Sequence, residues 1–312
     1  MTAVKRNIPV VDFEGIWSDD PSKRNSTALT LRGALESFGF LYLTNHGIPE
    51  SLLNDLFDQS RGFFALSQRD KDAVKRREGG SSRHGYEGIG GQSLDEHFAD
   101  LKELFHAVPH DADADLWPGD PPRFREAVLA FHQAASKAAY KFMCAVALSL
   151  GLPEDYFASS HDHAEGSVRM LHYPPVQETV ETGQLRAGAH TDFGGITLLF
   201  TDVENGLEIQ YADGTWLPAT AKKGAAIINT GDLMERWTNG QFRSSPHRVV
   251  VPQGDAQQRH RFSVAFFYSP NREAVISCLE PCRSSERPPK YPPVTAGEHI
   301  KSRVLATRPQ EH

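Results

Sequence analysis

At 312 residues, with 39% hydrophobic and 23% charged side chains, the chain has enough material to bury a sizeable core, which excludes a disordered or collagen-like polymer. Lys and Arg number 33 against 40 Asp and Glu, a net charge of −7, so there is no basic field to draw nucleic acid or an anionic membrane surface. Three cysteines (Cys144, Cys278, Cys282) make neither a disulfide framework nor a thiolate zinc site, no apolar leader or membrane-length run is visible, and a soluble cytoplasmic protein is expected.

The first half reads mainly as helix. A short strand at Ile8–Asp12 precedes a helix at Ser26–Phe38, whose apolar positions include Ala28, Leu31, Ala34, Leu35 and Phe38 and which Gly39 terminates. FLYLT (Phe40–Thr44) is a strand closed by Asn45-His46-Gly47, where His46 reads as a turn element, and a second helix starts after Pro49. Gln68–Arg77 is a charge run, most simply a solvated helix face. Gly79–Gly91 holds six glycines in thirteen residues. Without a strand-then-helix frame it is not a phosphate-binding loop, and a mobile loop over a site is the better reading. The longest helix is marked by Phe124, Val128, Phe131, Ala135, Ala138, Phe142 and Ala145, a stripe that Gly151 and Pro153 end.

After residue 166 the pattern turns to short strands: SVRMLHY, GGITLLF, LEIQY, AAIIN, HRVVV and RFSVAFFY. Asp213-Gly214 signals a hairpin and Asn239-Gly240 another turn. Serial strands of this kind build a sandwich or barrel. We expect a mainly β fold with helices: one compact unit over 1–312, in which a mainly helical region, 1–166, braces a β-barrel or jelly roll (double-stranded β-helix) over 167–312.

The chemistry concentrates in that second region. In His190-Thr191-Asp192, residues i and i+2 of a strand project to one face, so an imidazole and a carboxylate point together. His247 opens a strand 57 residues later. Two His and one carboxylate form the facial triad of non-haem Fe(II) oxygenases. Alternation along Arg261–Phe267 places Arg261, Ser263, Ala265 and Phe267 on one face, leaving Phe262, Val264, Phe266 and Tyr268 to pack. A guanidinium inside an apolar barrel needs an anion, and Arg261 with Ser263 suits the far carboxylate of a 2-oxo acid. The alternative for Arg261 is an internal salt bridge, for example with Asp232. His161-Asp162-His163 with Glu165 has ligand residue types but lies in a polar connecting stretch that fixes nothing, and is read as a decoy.

The motifs IPVVDF, GFLYLTNHGIP, DLKELF, YPP, HTDFGGITLLF, GLEIQ, INTGD, RWTNGQFRSSPHRV, RFSVAFFYSPN and YPPVTAGEHI run in order through nearly the whole chain. With them the chain resembles the iron- and 2-oxoglutarate-dependent dioxygenases of the isopenicillin N synthase-like family. The resemblance implies His190, Asp192 and His247 as iron ligands and Arg261, Ser263 and Tyr173 as the 2-oxoglutarate contacts. It further implies Fe(II) as cofactor, 2-oxoglutarate and O2 as cosubstrates, and hydroxylation, desaturation or ring closure of a small molecule with release of succinate and CO2. Many relatives carry Asn two residues before that tyrosine; here the position is Leu171.

Arg169, Leu171, Phe193, Phe267 and Tyr86 are candidate substrate contacts, Tyr86 reaching in from the glycine-rich loop. Arg169, if it faces the cavity, favours a carboxylate- or phenolate-bearing substrate. The nearest rival is an Fe(II)/O2 oxidase on the same scaffold without 2-oxoglutarate, separated by stoichiometric succinate release. A zinc hydrolase is a second rival, although no HExxH motif is present; a non-enzymatic barrel is the third. Monomer is the default expectation.

Overall fold

The structure, a computed structural model, describes residues 7–77, 83–91, 98–109, 115–163, 166–176, 183–202 and 206–306. In chain order these form β1 (Val10–Asp12), α1 (Pro21–Phe38), β2 (Phe40–Thr44), α2 (Glu50–Phe64), α3 (Gln68–Asp72), β3 (Gly85–Glu87), β4 (Glu103–Ala107) and α4 (Phe124–Ser149). There follow β5 (Ser167–Tyr173), β6 (Ala187–His190), β7 (Ile196–Thr201), β8 (Leu207–Gln210), β9 (Trp216–Pro218), β10 (Ala225–Thr230) and α5 (Asp232–Trp237). The last are β11 (His247–Val249), β12 (Arg261–Tyr268), β13 (Val275–Ile276), β14 (Val294–Thr295) and α6 (Ala296–Ala306).

The helix boundaries follow local chemistry. The α1 helix begins at Pro21, five residues before the expected start at Ser26, because the Asp20 carboxylate caps it by accepting from Ser22 N at 2.9 Å and Pro21 suits the first turn. It ends at Gly39, whose φ of 70° and close approach to the Arg243 carbonyl leave no room for a Cβ. In α4 the expected stripe is real: Phe124, Val128, Phe131, Ala135 and Phe142 are fully buried.

Among the described residues the strands form an eight-stranded sheet, β1-β2-β10-β7-β12-β5-β4-β3, a four-stranded sheet, β6-β11-β8-β9, and the β13–β14 pair. Pairing in the two larger sheets is antiparallel except for β1 on β2. This is the mainly β, jelly-roll architecture with helices on one side. One face of the large sheet packs on α1, α2 and α4 through Phe262, Val264, Phe266, Phe131 and Phe142. Its other face meets the small sheet through Tyr42, Leu171, Ala265, Leu207, Ile209 and Val249. Alternation along β5 and β12 therefore sorts apolar side chains to the helices and the functional ones to the space between the sheets. No described helix is long and apolar enough to cross a membrane.

Strands β3 and β4, which were not anticipated, extend the large sheet from within the region expected to be mainly helical, and one expectation fails. The charge run at Gln68–Arg77 is only partly solvated: Lys71 is buried and its Nζ donates to Glu103 Oε2 at 2.7 Å. Glu103 also accepts from Tyr86 Oη at 2.6 Å and His172 Nδ1 at 2.7 Å, so an interior carboxylate gathers a cation, a phenol and an imidazole.

Candidate metal centre

His190 ends β6 and His247 opens β11, and the two are register partners whose rings stand 4.3 Å apart. Asp192 arrives differently from the strand alternation expected, since β6 stops at His190 and the carboxylate lies in the following turn. Backbone bonds fix that turn: Asp232 N donates to Asp192 O at 2.8 Å, Leu233 N to Gly194 O at 3.1 Å, and Gly231 N to Gly195 O at 2.9 Å. Only glycine fits at 231, because a Cβ there would lie 2.4 Å from the Gly194 carbonyl oxygen and 2.8 Å from that of Asp192.

The three side chains bring one ligand atom each to within 4.8 Å of one another, the only such group of three or more among the described residues. His190 Nδ1 donates to the Gly188 carbonyl at 2.8 Å and His247 Nδ1 to that of Ser245 at 3.3 Å. With a carbonyl as partner, Nδ1 must carry the proton, which leaves each Nε2 lone pair free. Asp192 Oδ2 accepts from Asn229 Nδ2 at 2.7 Å and Thr197 Oγ1 at 2.5 Å, while Oδ1 stands 3.9 Å from His247 Nε2. Burial and the neighbouring His247 push the His190 imidazole down to about 3, so it is neutral near pH 7. Burial alone would raise the Asp192 carboxyl, but the two imidazoles and its two hydrogen bonds outweigh that and hold it below its ordinary value. Two imidazoles with their Nε2 atoms turned to one point and one carboxylate, with outer partners in place, fit a divalent iron.

A cavity of about 170 Å³ opens beside this group. Arg261, Ser263, Tyr173, Arg169, Leu171, Phe193 and Phe267 all line it together with the three candidate ligands. Arg261 is 1% exposed, lies 4.7 Å over the Tyr173 ring, and has Ser263 Oγ as its hydrogen-bond partner at a long 3.5 Å; its Nε has none. A salt bridge to Asp232 does not form, because that carboxylate is taken by Arg303 at 3.2 Å and His299 at 3.5 Å. The buried guanidinium thus faces the cavity with no carboxylate partner among the described residues.

Tyr86 is the exception. It sits in β3, 1% exposed, bonded to Glu103 and packed 5.9 Å from Phe63 on the helical side of the sheet, and does not line the cavity. The expected loop over the site falls partly on residues 79–82, which lie outside the described residues. His161 packs on Tyr268 with its Nδ1 donating to the Phe157 carbonyl, and Asp162 accepts from Asn271, so neither is poised to hold a metal; Glu165 lies outside the described residues. A more open groove, lined by Phe57, Arg61 and Lys222 among others, contains none of the three candidate ligands.

Sequence reasoning missed the supports. Asn229 and Thr197 were inside motifs, and an inward-facing polar residue on an otherwise apolar strand was the available signal. Asp100, which is buried, pairs with Lys102 on the cavity wall and accepts from Gly188 N at 2.9 Å, fixing the strand that carries His190. From α6, Ile300 and Val304 reach the cavity, and Arg303 lies 5.0 Å over Phe193 while donating to Thr191 Oγ1 at 3.1 Å.

Comparison with known proteins agrees with this geometry. Residues 8–125 match the family described as non-haem dioxygenase in morphine synthesis N-terminal, and residues 164–270 match the 2OG-Fe(II) oxygenase superfamily. A proline hydroxylase from Petromyces alliaceus is 33% identical over 95% of this chain and 98% of its own. A validamycin A dioxygenase from Streptomyces hygroscopicus subsp. limoneus is 34% identical over 86% and 79%. A full-length protein of Neurospora crassa, crystallised in complex with alpha-KG and thymine, superposes with a TM-score of 0.89 at 28% identity, covering 96% of each chain. The chain therefore belongs to the 2OG-Fe(II) oxygenase superfamily, among its isopenicillin N synthase-like dioxygenases, and is an oxidoreductase that uses Fe(II) and 2-oxoglutarate to oxidise a small molecule.

Proposed function

We propose that His190 Nε2, Asp192 Oδ1 and His247 Nε2 hold the iron, and that Arg261 with Ser263 takes the distal carboxylate of 2-oxoglutarate over the Tyr173 ring. The observation that carries this reading is the convergence of three ligand atoms within 4.8 Å beside a buried guanidinium that no carboxylate among the described residues pairs with. Iron, when bound there, supplies the redox chemistry by which O2 and 2-oxoglutarate convert a substrate C–H to C–OH, with succinate and CO2 as co-products.

The protein's own part is positional. Gly188 and Ser245 carbonyls keep each Nδ1 protonated, so both Nε2 atoms face the ion. Asn229 and Thr197 occupy one carboxylate oxygen of Asp192 and leave the other to bind. The Arg261 guanidinium fork fixes the rotation of the diacid. Leu171, Phe193 and Phe267 keep water from the reacting face, and with Arg169 they contact the substrate. Hydroxylation is the outcome we infer, the reaction for which one relative is named.

We read the protein as a monomer by default, and as cytoplasmic, since all three cysteines are free. The test is succinate formation by Fe(II)-loaded protein given 2-oxoglutarate and O2, with and without a metabolite panel. We expect formation that needs both iron and O2 and is lost in His247→Ala. Turnover that persists without oxygen, or with zinc in place of iron, refutes the assignment.

A further inference from the structure

The cavity face of the β5–β12 pair carries two guanidinium groups, and 2-oxoglutarate accounts for one. The register sets Arg261 opposite Tyr173, Ser263 opposite Leu171 and Ala265 opposite Arg169. The Arg261 and Arg169 rows are thus four residues apart along β12, about 13 Å at roughly 3.3 Å per residue. The Arg169 guanidinium leans further away still, 5.0 Å over the ring of Phe267. One small diacid anchored at Arg261 does not serve both.

Arg169 also lacks what its neighbours have. Lys102 on the same wall is paired with Asp100, and Arg76 with Glu87 at 3.5 Å. Among the described residues no carboxylate pairs with Arg169. Its polar contact is a long one, 3.4 Å from a terminal nitrogen to His106 Nδ1, and its Nε is shielded from solvent without a partner. Burial and the nearby Arg169 charge keep the His106 imidazole neutral, so it supplies no counter-charge. A half-buried cation in a ligand cavity, with a long histidine contact and no described carboxylate at pairing distance, calls for an anion. The free Nε edge of a guanidinium matches the planar fork of a carboxylate, and Phe193, Phe267 and Leu171 suit an apolar body beside it.

Building on the site assignment above, we propose that Arg169 binds a carboxylate of the primary substrate, which makes the oxidised molecule a small carboxylic acid held at the end of the face remote from the Arg261 anchor. Asp192 lies at this same end, since its partners Thr197 and Asn229 share the row of Phe267. The acid group is thereby seated one row from the metal end, and its carbon chain turned toward the ligands.

The experiment uses the full-length protein loaded with Mn(II) and 2-oxoglutarate under argon, titrated calorimetrically with acids and their primary amides: acetate, benzoate, phenylacetate and L-proline against acetamide, benzamide, phenylacetamide and L-prolinamide. At least one acid should bind roughly tenfold or more tighter than its amide, as expected when a charge-assisted pair replaces a neutral one. That preference should collapse in Arg169→Met and be intermediate in Arg169→Lys, which keeps the charge but not the fork. The wild-type comparison stands even where the Met variant fails to fold. A series in which no acid outbinds its amide, or a preference that survives in Arg169→Met, overturns the proposal. Titration of 2-oxoglutarate into Arg261→Met reads the underlying assignment separately: wild-type affinity there defeats that assignment whatever the acids do.

Discussion

Replacing Arg261 with Met separates an anchoring role from a structural one, because the two give opposite signs. The guanidinium is 1% exposed, and its described contacts are a 3.5 Å hydrogen bond to Ser263 Oγ and the face of Tyr173 at 4.7 Å. Its removal breaks no ion pair, while loss of the ring contact costs about 0.5–2 kcal/mol. Against that stands relief of a desolvated, unpaired charge, worth several kcal/mol. The 2-oxoglutarate-free variant should therefore unfold at the wild-type denaturant midpoint or above it. Binding of 2-oxoglutarate should move the other way. Truncating one partner of a buried, hydrogen-bonded charge pair typically costs about 2–5 kcal/mol, and the middle of that range is roughly a hundredfold or more in affinity. Calorimetric titration of 2-oxoglutarate into Mn(II)-loaded protein, beside urea unfolding of the 2-oxoglutarate-free protein, measures both. An affinity within about threefold of wild type, or a stability loss above about 2 kcal/mol, means that Arg261 is a structural cation and the reasoning fails.

Asn229→Ala removes one of two donors to Asp192 Oδ2, and metal affinity measured by Mn(II) titration should fall about 10- to 100-fold while secondary structure is kept. Gly231→Ala places a methyl 2.4 Å from the Gly194 carbonyl oxygen. The turn bearing Asp192 must give way, so we expect a stability loss of about 1–3 kcal/mol together with weakened metal binding. Unfolding in urea should also depend on pH through His161, which burial lowers to about 4. Its unfolded value is higher, near 6.5, so the unfolded state takes up the proton first. Stability is complete above about pH 6.5 and declines by about 3 kcal/mol on going down to about pH 4. In His161→Gln that part of the decline should vanish, and an unchanged pH profile would contradict the burial argument.

What the amino-acid order revealed, and what it hid, divides by the range of the interactions involved. The α4 stripe and the β12 alternation are local repeats, and the residues they turned inward are the ones that line the core or the cavity. His190, Asp192 and His247 were recognisable by residue type, yet the strand geometry invoked for Asp192 was wrong: its carboxylate is placed by Asn229, 37 residues on, and by the turn preceding α5. Strands β3 and β4 escaped notice for a related reason. Glu103 reads as a solvent-facing charge until its partners are known, and Tyr86, Lys71 and His172 lie 17, 32 and 69 residues away. The same network explains why Tyr86 was misplaced, since a tyrosine in a glycine-rich stretch looks free when its hydroxyl is in fact committed to a buried carboxylate. Periodicity reports which way a side chain faces, but a polar residue facing inward is decided by partners that the chain brings together only on folding. Arg169 shows the converse. The sequence left it facing the cavity only as a condition, the fold sets it there, and it acquires meaning because no carboxylate among the described residues pairs with it.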